Sequence, residues 1–261
     1  MRILYIFIFS VFCLANEFSW HNSKDQQIVD KAIDNLYNYQ LDSSSRQFKN
    51  LIDNNSLHPL PYFMYLTVNW KSEQVQNGYN SSYDILLKGS LKTIEQYEKL
   101  LKIHKDNPEY WLYLGSTYGL QARVYLAKKD WLQVIYTGYQ GLSYIKKAQS
   151  LNSSLRDAYT PIGIMEYYTS LSPEPVKWAA YFLGIGSNKE NAIKNLEIAA
   201  KRSYYSWTEA SNILTYIYLH IEGNYKQALL HSKKLYETYP ENPFFLYLYA
   251  ETNARLNNWN E

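Results

Sequence analysis

Apolar side chains return every third or fourth position along most of this chain, the spacing of a helical face rather than the alternation of a strand. The clearest case is residues 107–118. Trp111, Leu114, Gly115 and Tyr118 stand at i, i+3, i+4 and i+7 and share one face. Asn107 is a good N-cap, Pro108 fits the first turn, and Glu109 suits the positive end of the helix dipole. A large aromatic, a leucine, a residue without a side chain and a second aromatic form a packing device. Gly115 admits a neighbouring helix while Trp111 and Tyr118 fill the volume beside it.

The same pattern lays out the rest of the chain. A capping box at residues 23–26 opens a helix through Ile28, Ala32, Ile33 and Leu36. Its partner spans 42–52, with Phe48 and Leu51 inward, and ends at Asp53, Asn54 and Asn55, whose side chains compete for the backbone. Residues 58–61 connect to another apolar helix beginning at Tyr62. Residues 74–82 are polar and hold Gly78, and predict a mobile loop. A long helix follows over 82–105, with Ile85, Leu86, Leu91, Ile94, Tyr97, Leu100, Leu101 and Ile103 on its apolar face. The helix that starts at residue 107 runs on to about 127 and meets a partner over 130–150, through Trp131, Ile135, Tyr139, Leu142, Ile145 and Ala148.

The device then recurs. Tyr159, Ile162, Gly163 and Tyr167 nearly repeat Trp111, Leu114, Gly115 and Tyr118, with Glu166 where the second aromatic would sit. Pro161 falls inside this copy, so its helix starts late or near that residue. Residues 171–186 are an insertion: Pro173 and Pro175, a short apolar helix through Trp178, Tyr181 and Leu183, then Gly184 and Gly186. Further capping boxes stand at 187–190 and 206–209. Ala192, Leu196 and Ala199 give one second helix, and Ala228, Leu235, Tyr239 and Pro240 another. Asn242 and Pro243 copy Asn107 and Pro108, and Ala250 takes the small-residue slot of a last first helix.

Trp111, Leu114, Gly115 and Tyr118 make the W-x2-L-G-x2-Y pattern, and the chain resembles the tetratricopeptide-repeat family. The later carriers are Tyr159, Gly163, Ala192, Ala228 and Pro240. The resemblance implies an all-α, tetratricopeptide-like α-solenoid of antiparallel helix pairs over residues 16–261. The Gly115-to-Gly163 step, about 48 residues against the usual 34, implies long central helices. By the same period the last repeat is incomplete. Its face of Leu246, Tyr249, Ala250 and Leu256 is covered by another subunit, by a folded-back terminus, or by more chain. The order of segments over 158–243 is also similar to the inclusion-body-clearance family of eukaryotes and its bacterial relatives, which implies a helical-repeat fold and no defined chemistry.

Composition changes this picture at one end only. Residues 1–15 carry an early positive charge, a short apolar run and small residues near Ala15, and read as a signal peptide cut near Ala15 and Asn16, or else kept as an anchor. The expectation is an exported, periplasmic or extracellular protein. Cys13 is the sole cysteine, so a chain cut after Ala15 has no thiol for a disulfide or a nucleophile. The net charge of +2 is spread along the chain, which gives no stripe for nucleic acid. Tyr is abundant, at 28 residues, and suits half-exposed faces of stacked helices.

Candidate chemistry is sparse. None of His21, His58, His104, His220 and His231 has metal-ligand spacing, and residues 184–189 lack a phosphate-loop pattern and follow no strand. No cofactor, no metal and no enzymatic activity are expected. Glu166 and Arg123 suggest a buried pair, structural rather than catalytic. In the tetratricopeptide frame the first helices line a concave surface. Its candidates are Leu112, Ser116, Asp157, Thr160, Tyr168, Ile213, His220, Tyr247 and Glu251, with solvent or the next helix as the other destination for each. The resulting expectation is a scaffold for a protein or peptide partner, or for an envelope complex, with a carbohydrate- or lipid-binding module as the alternative. Residues 175–183 either touch a membrane or pack over neighbouring helices, and packing is the expectation.

Overall fold

The structure is a computed structural model and describes residues 23–259. The proposed signal peptide, Cys13 and the cleavage site lie outside the described residues. Every regular element among the described residues is helical: α1 (Ser23–Tyr37), α2 (Leu41–Asp53), α3 (Pro61–Ile103), α4 (Pro108–Ala127), α5 (Trp131–Leu151), α6 (Tyr159–Ser170), α7 (Glu174–Phe182), α8 (Lys189–Arg202), α9 (Trp207–Tyr216), α10 (Tyr225–Thr238) and α11 (Pro243–Arg255). A 3-10 turn, Arg156–Ala158, leads into α6, and a π turn, Ile217–Ile221, extends α9.

Caps set most of the starts. Asn107 Oδ1 accepts from Glu109 N at 2.9 Å, and Asn242 Oδ1 accepts from Phe244 N and Phe245 N at 3.0 and 3.1 Å. At α8 the cap is Asn188, one residue beyond the box the sequence suggested, and it accepts from Asn191 N at 2.7 Å. At α9 Ser206 makes no side-chain cap bond. Asp157 does that work from a distance, accepting from the backbone N–H groups of Tyr204, Tyr205 and Ser206 at 3.2, 2.8 and 2.6 Å.

The loop expected over 74–82 is not there. Helix α3 passes through it with one break, at Gly78, whose φ of 83° is open to glycine alone without strain. The chain is thus two helical stretches meeting at a kink, with residues 75–77 and 79–81 exposed around Gly78 and burial resuming at Ser82 and Leu86.

Successive helices pack as antiparallel pairs. The tightest pair is α4 with α5. A methyl group on Gly115 would lie 2.5 Å from the Gly141 carbonyl oxygen, and one on Gly141 would lie 2.7 Å from the Gly115 oxygen. Two backbones therefore meet without side chains between them. Trp111 and Tyr118 flank the contact and both lie against Tyr144, with ring centroids 5.7 and 5.6 Å apart. Gly163 meets Leu196 and the Ala192 carbonyl in the pair α6–α8. Gly115, Gly163, Ala192, Ala199 and Ala228, read as packing sites, are buried, as are Leu114, Leu196 and Leu235. Ala250, expected in the same kind of slot, is exposed because no second helix packs on that side of α11 among the described residues. Each buried leucine contributes about 1.5–3 kcal/mol over leaving it exposed.

One feature departs from a simple stack, in which each repeat touches only its neighbours. Helix α1 reaches across to the far end of the array. Gln26 Nε2 donates to Tyr205 Oη at 2.8 Å, and Asn242 Nδ2 donates to the buried Tyr37 carbonyl at 2.7 Å. Tyr37 also packs on Tyr239 and Phe245. One continuous core runs from Val29 and Ile33 through Tyr97 and Leu114 to Leu235 and Phe245. A second core holds α6, α8, α9 and α10 together around Tyr167, Leu196 and Leu214.

Candidate functional site

The first helices of successive pairs are the first half of α3, then α4, α6, α9 and α11. Some of their side chains touch, and others lie within electrostatic reach of one another, across the array. Arg123 on α4 lays its guanidinium over the Trp70 ring of α3, 5.0 Å from the centroid. Tyr168 on α6 feels the Arg123 charge and the Tyr216 hydroxyl of α9. Burial raises the Tyr168 phenol above its ordinary range, Tyr216 adds to that, and the Arg123 cation offsets part of the rise. Tyr216 packs on His220 at 4.8 Å, and His220 Nε2 lies 3.8 Å from Glu251 Oε2 of α11. Tyr247, one turn before Glu251, bonds to that carboxylate, which raises its own phenol.

Trp70, Arg123, Tyr168, Tyr216, His220, Glu251 and Tyr247 therefore make one strip over five successive elements. The π turn at Ile217–Ile221 helps build it, because the wider turn shifts the phase of His220 toward α11 while Ile217 and Leu219 stay in the core. The strip mixes exposed phenol rings with one guanidinium, one imidazole and one carboxylate. Such a surface can stack on rings and peptide planes and can fork a carboxylate at Arg123.

The structure sorts the sequence candidates. Tyr168, His220, Tyr247 and Glu251 stand together on the strip. Ser116 and Ile213 are half-buried beside it. Leu112, Asp157 and Thr160 are buried and leave the set. Asp157 and Thr160 lie at the start of α6, where the connection from α8 to α9 folds over them. Leu112 joins the main core, Asp157 caps α9, and Thr160 Oγ1 donates to Ser206 Oγ at 2.8 Å. Sequence reasoning missed Trp70 and Tyr216 and gave Arg123 another role. Arg123 and Tyr168 were each visible as polar or amphipathic residues on a first helix.

The Arg123–Glu166 pair does not form. Glu166 Oε2 instead accepts from Asn195 Nδ2 at 2.9 Å, while Arg123 turns to Trp70. Burial raises the Glu166 carboxyl, partly offset by the Asn195 bond and by Lys146. Its other side presses on Gly186, where a methyl group would lie 2.6 Å from Oε1. Glu166 thus fixes the loop after α7.

A second polar node joins the ends of the array. His58 Nδ1 accepts from Leu60 N at 3.2 Å, so Nε2 carries the ring proton, facing Tyr205 Oη at 3.1 Å and Gln26 Oε1 at 3.2 Å. A third links α8 and α10. His231 Nε2 meets Glu197 Oε1 at 3.0 Å and Lys201 meets Oε2 at 3.0 Å, and the His231 bond leads in drawing the Glu197 carboxyl down to about 2. Both nodes are interior fastenings rather than open sites. A shallow cavity of about 440 Å³ opens between the start of α2 and α3, lined by Tyr39, Arg46, Ser72 and Val75, away from the strip. Among the described residues no three metal-ligating side chains converge.

No protein-family model and no curated protein matches the chain. Among solved structures it is similar to a thermophilic tetratricopeptide-repeat protein of Thermus thermophilus. The two are 15% identical, the likeness covers 87% of this chain and 98% of that one, and the TM-score is 0.50. The chain folds as a tetratricopeptide-like, all-α solenoid. The narrower resemblance of residues 158–243 stays an expectation from the order of segments.

Proposed function

We propose that this protein is an exported scaffold that holds a protein or peptide partner, or assembles an envelope complex, along the Tyr-rich strip of its first helices. The observation that carries the reading is the series of first-helix side chains in which Arg123 covers Trp70, Tyr168 lies within electrostatic reach of Arg123 and Tyr216, and Tyr216 packs on His220 beside Glu251. Those elements are far apart in sequence, and their exposed rings serve no core. An extended partner fits this shape. Tyr168, Tyr216 and Tyr247 offer rigid rings at low entropic cost, and Arg123, already flat on Trp70, presents its edge to a carboxylate. The scaffold reading is non-enzymatic. Among the described residues, the one carboxyl with a raised pKa on a first helix is Glu166, and it is occupied by Asn195 and Gly186.

The exposed phenol rings also support stacking on a carbohydrate, the alternative for the same strip.

The test is in-cell cross-linking and capture with the wild-type chain and with Tyr168→Ala combined with Tyr247→Ala. Both side chains are exposed, so the fold is retained. A partner held by wild type and lost with the pair supports the strip. A partner held equally by both sinks it, and a retained sugar in native mass spectrometry moves the reading to the alternative. The mass of the mature N-terminus tests export with cleavage near Ala15.

A further inference from the structure

The sequence pattern predicts that α7 packs its aromatic residues over neighbouring helices. The helix does the opposite. Trp178, Tyr181 and Phe182 stand at i, i+3 and i+4 on one face and are 63%, 75% and 78% exposed, with Leu171 beside them. The helix rests on the solenoid through Ala180, its small side. Its exit is fastened, with Lys146 Nζ of α5 donating to the Gly184 carbonyl at 2.6 Å and Glu166 set against Gly186. An apolar face is thus held away from the core on a fixed mount.

We propose that α7 is a membrane-surface element that lays Trp178, Tyr181 and Phe182 into the interface of a bilayer carrying anionic lipid. Three features favour a bilayer over a protein groove. First, Trp and Tyr are the residues that settle at the headgroup level, with an apolar ring inward and a polar tip in water. Second, nine residues span about 14 Å, too short to cross a bilayer but long enough to lie flat. No helix among the described residues is long and apolar enough to cross. Third, the charge suits anionic headgroups. Lys177 on α7 neutralises Glu174 at 2.9 Å, so α7 itself carries no net negative charge there, and Lys146 at its exit, held by the Gly184 carbonyl, adds a fixed positive charge beside the face. The exposed neighbour Lys147 has a flexible stem that can reach a headgroup phosphate. This surface is separate from the strip of the first helices, so each proposal stands or fails alone.

The experiment is co-sedimentation of the full chain with vesicles of phosphatidylcholine, with and without phosphatidylglycerol. Wild type is compared with Trp178→Ser combined with Phe182→Ser, and unchanged circular dichroism certifies the fold. Any affinity of the N-terminal apolar run is common to both chains and cancels in the comparison. The expected result is at least a tenfold loss of partitioning in the variant, and weaker binding of wild type when phosphatidylglycerol is left out. Equal partitioning of the two chains overturns the proposal. So does a wild type that ignores vesicles yet self-associates in sedimentation velocity through these rings, which would make the face a contact between copies.

Discussion

The pairs α4–α5 and α6–α8 start from nearly the same spacing of residues and solve the contact differently. In α4–α5 the two backbones touch at Gly115 and Gly141, and the aromatics beside them stack on Tyr144. In α6–α8 Gly163 faces the Leu196 side chain and the Ala192 carbonyl, and Glu166, in the second aromatic's place, takes Asn195. The first contact is led by a backbone carbonyl at 2.5 Å, with the Ile145 side chain beside it. The second is led by the branch carbon of Leu196 at 2.7 Å, with the Ala192 carbonyl behind it at 3.0 Å. The same small residue thus guards a backbone joint in one pair and a side-chain joint in the other.

The largest effect expected from this difference is at the first joint. Gly115→Ala forces a methyl group onto a carbonyl oxygen and onto Ile145, and costs about 3 kcal/mol or more. Gly163→Ala costs less, about 2 kcal/mol, because the first atom displaced belongs to the Leu196 side chain and the backbone carbonyl of Ala192 stands further off, at 3.0 Å. Adding Leu196→Met, an unbranched side chain, makes the double variant of Gly163 less than additive. Denaturant midpoints with unchanged slopes measure all three. Equal costs at the two glycines would break the comparison.

The paired Asn-Pro starts sharpen it at the next level. Asn107 and Asn242 both cap their helices, but Asn242 Nδ2 also donates to the buried Tyr37 carbonyl, while Asn107 Nδ2 has no partner among the described residues. Serine keeps a cap oxygen at either place. Asn107→Ser therefore costs under about 0.5 kcal/mol and Asn242→Ser about 2 kcal/mol, since it strands a carbonyl in the seam that α1 closes. Thermal melting of the two variants ranks them.

The last contrast is by pH, between the α4–α5 joint and the seam of α8 with α10. Glu197 holds its carboxyl at about 2, below the ordinary value near 4.5, chiefly through its bond to His231. A depressed folded pKa means that the unfolded chain binds the proton first. The stability from Glu197 is present above about 4.5 and is lost as pH falls from there toward 2. The Gly115–Gly141 contact, backbone against backbone, carries no such charge of its own. Melting temperatures of wild type should fall more steeply over this window than those of Glu197→Gln. Parallel slopes would remove Glu197 as the cause.

Much of this was legible in the sequence because it is local. Asn107 with Pro108, and Asn242 with Pro243, announce helix starts within a few residues. Gly115 at its spacing from Trp111 and Tyr118 announces a close neighbour. The strip was legible in part, because Tyr168, His220, Tyr247 and Glu251 follow from aligning one first helix with the next. Asp157 and Thr160 were misassigned because distant connections cover them. The cover on Asp157 comes from residues 204–206, and nothing near Asp157 in sequence marks their arrival. Residues 74–82 were misread for another reason. Gly and Asn are counted as breakers one residue at a time, whereas a helix anchored on both sides absorbs a break confined to Gly78.

The sequence by itself determined that this chain is a tetratricopeptide-like stack of helix pairs, since periodicity, caps and small-residue slots act over one or two turns. Only the tertiary structure decided that α1 closes onto the far end through Gln26 and Tyr37, and that Arg123 covers Trp70. It alone decided, too, that Trp178, Tyr181 and Phe182 face outward. An apolar face is written in the spacing of its residues, but what covers it depends on how the repeats curve, and that sum over many weak contacts appears in no single segment.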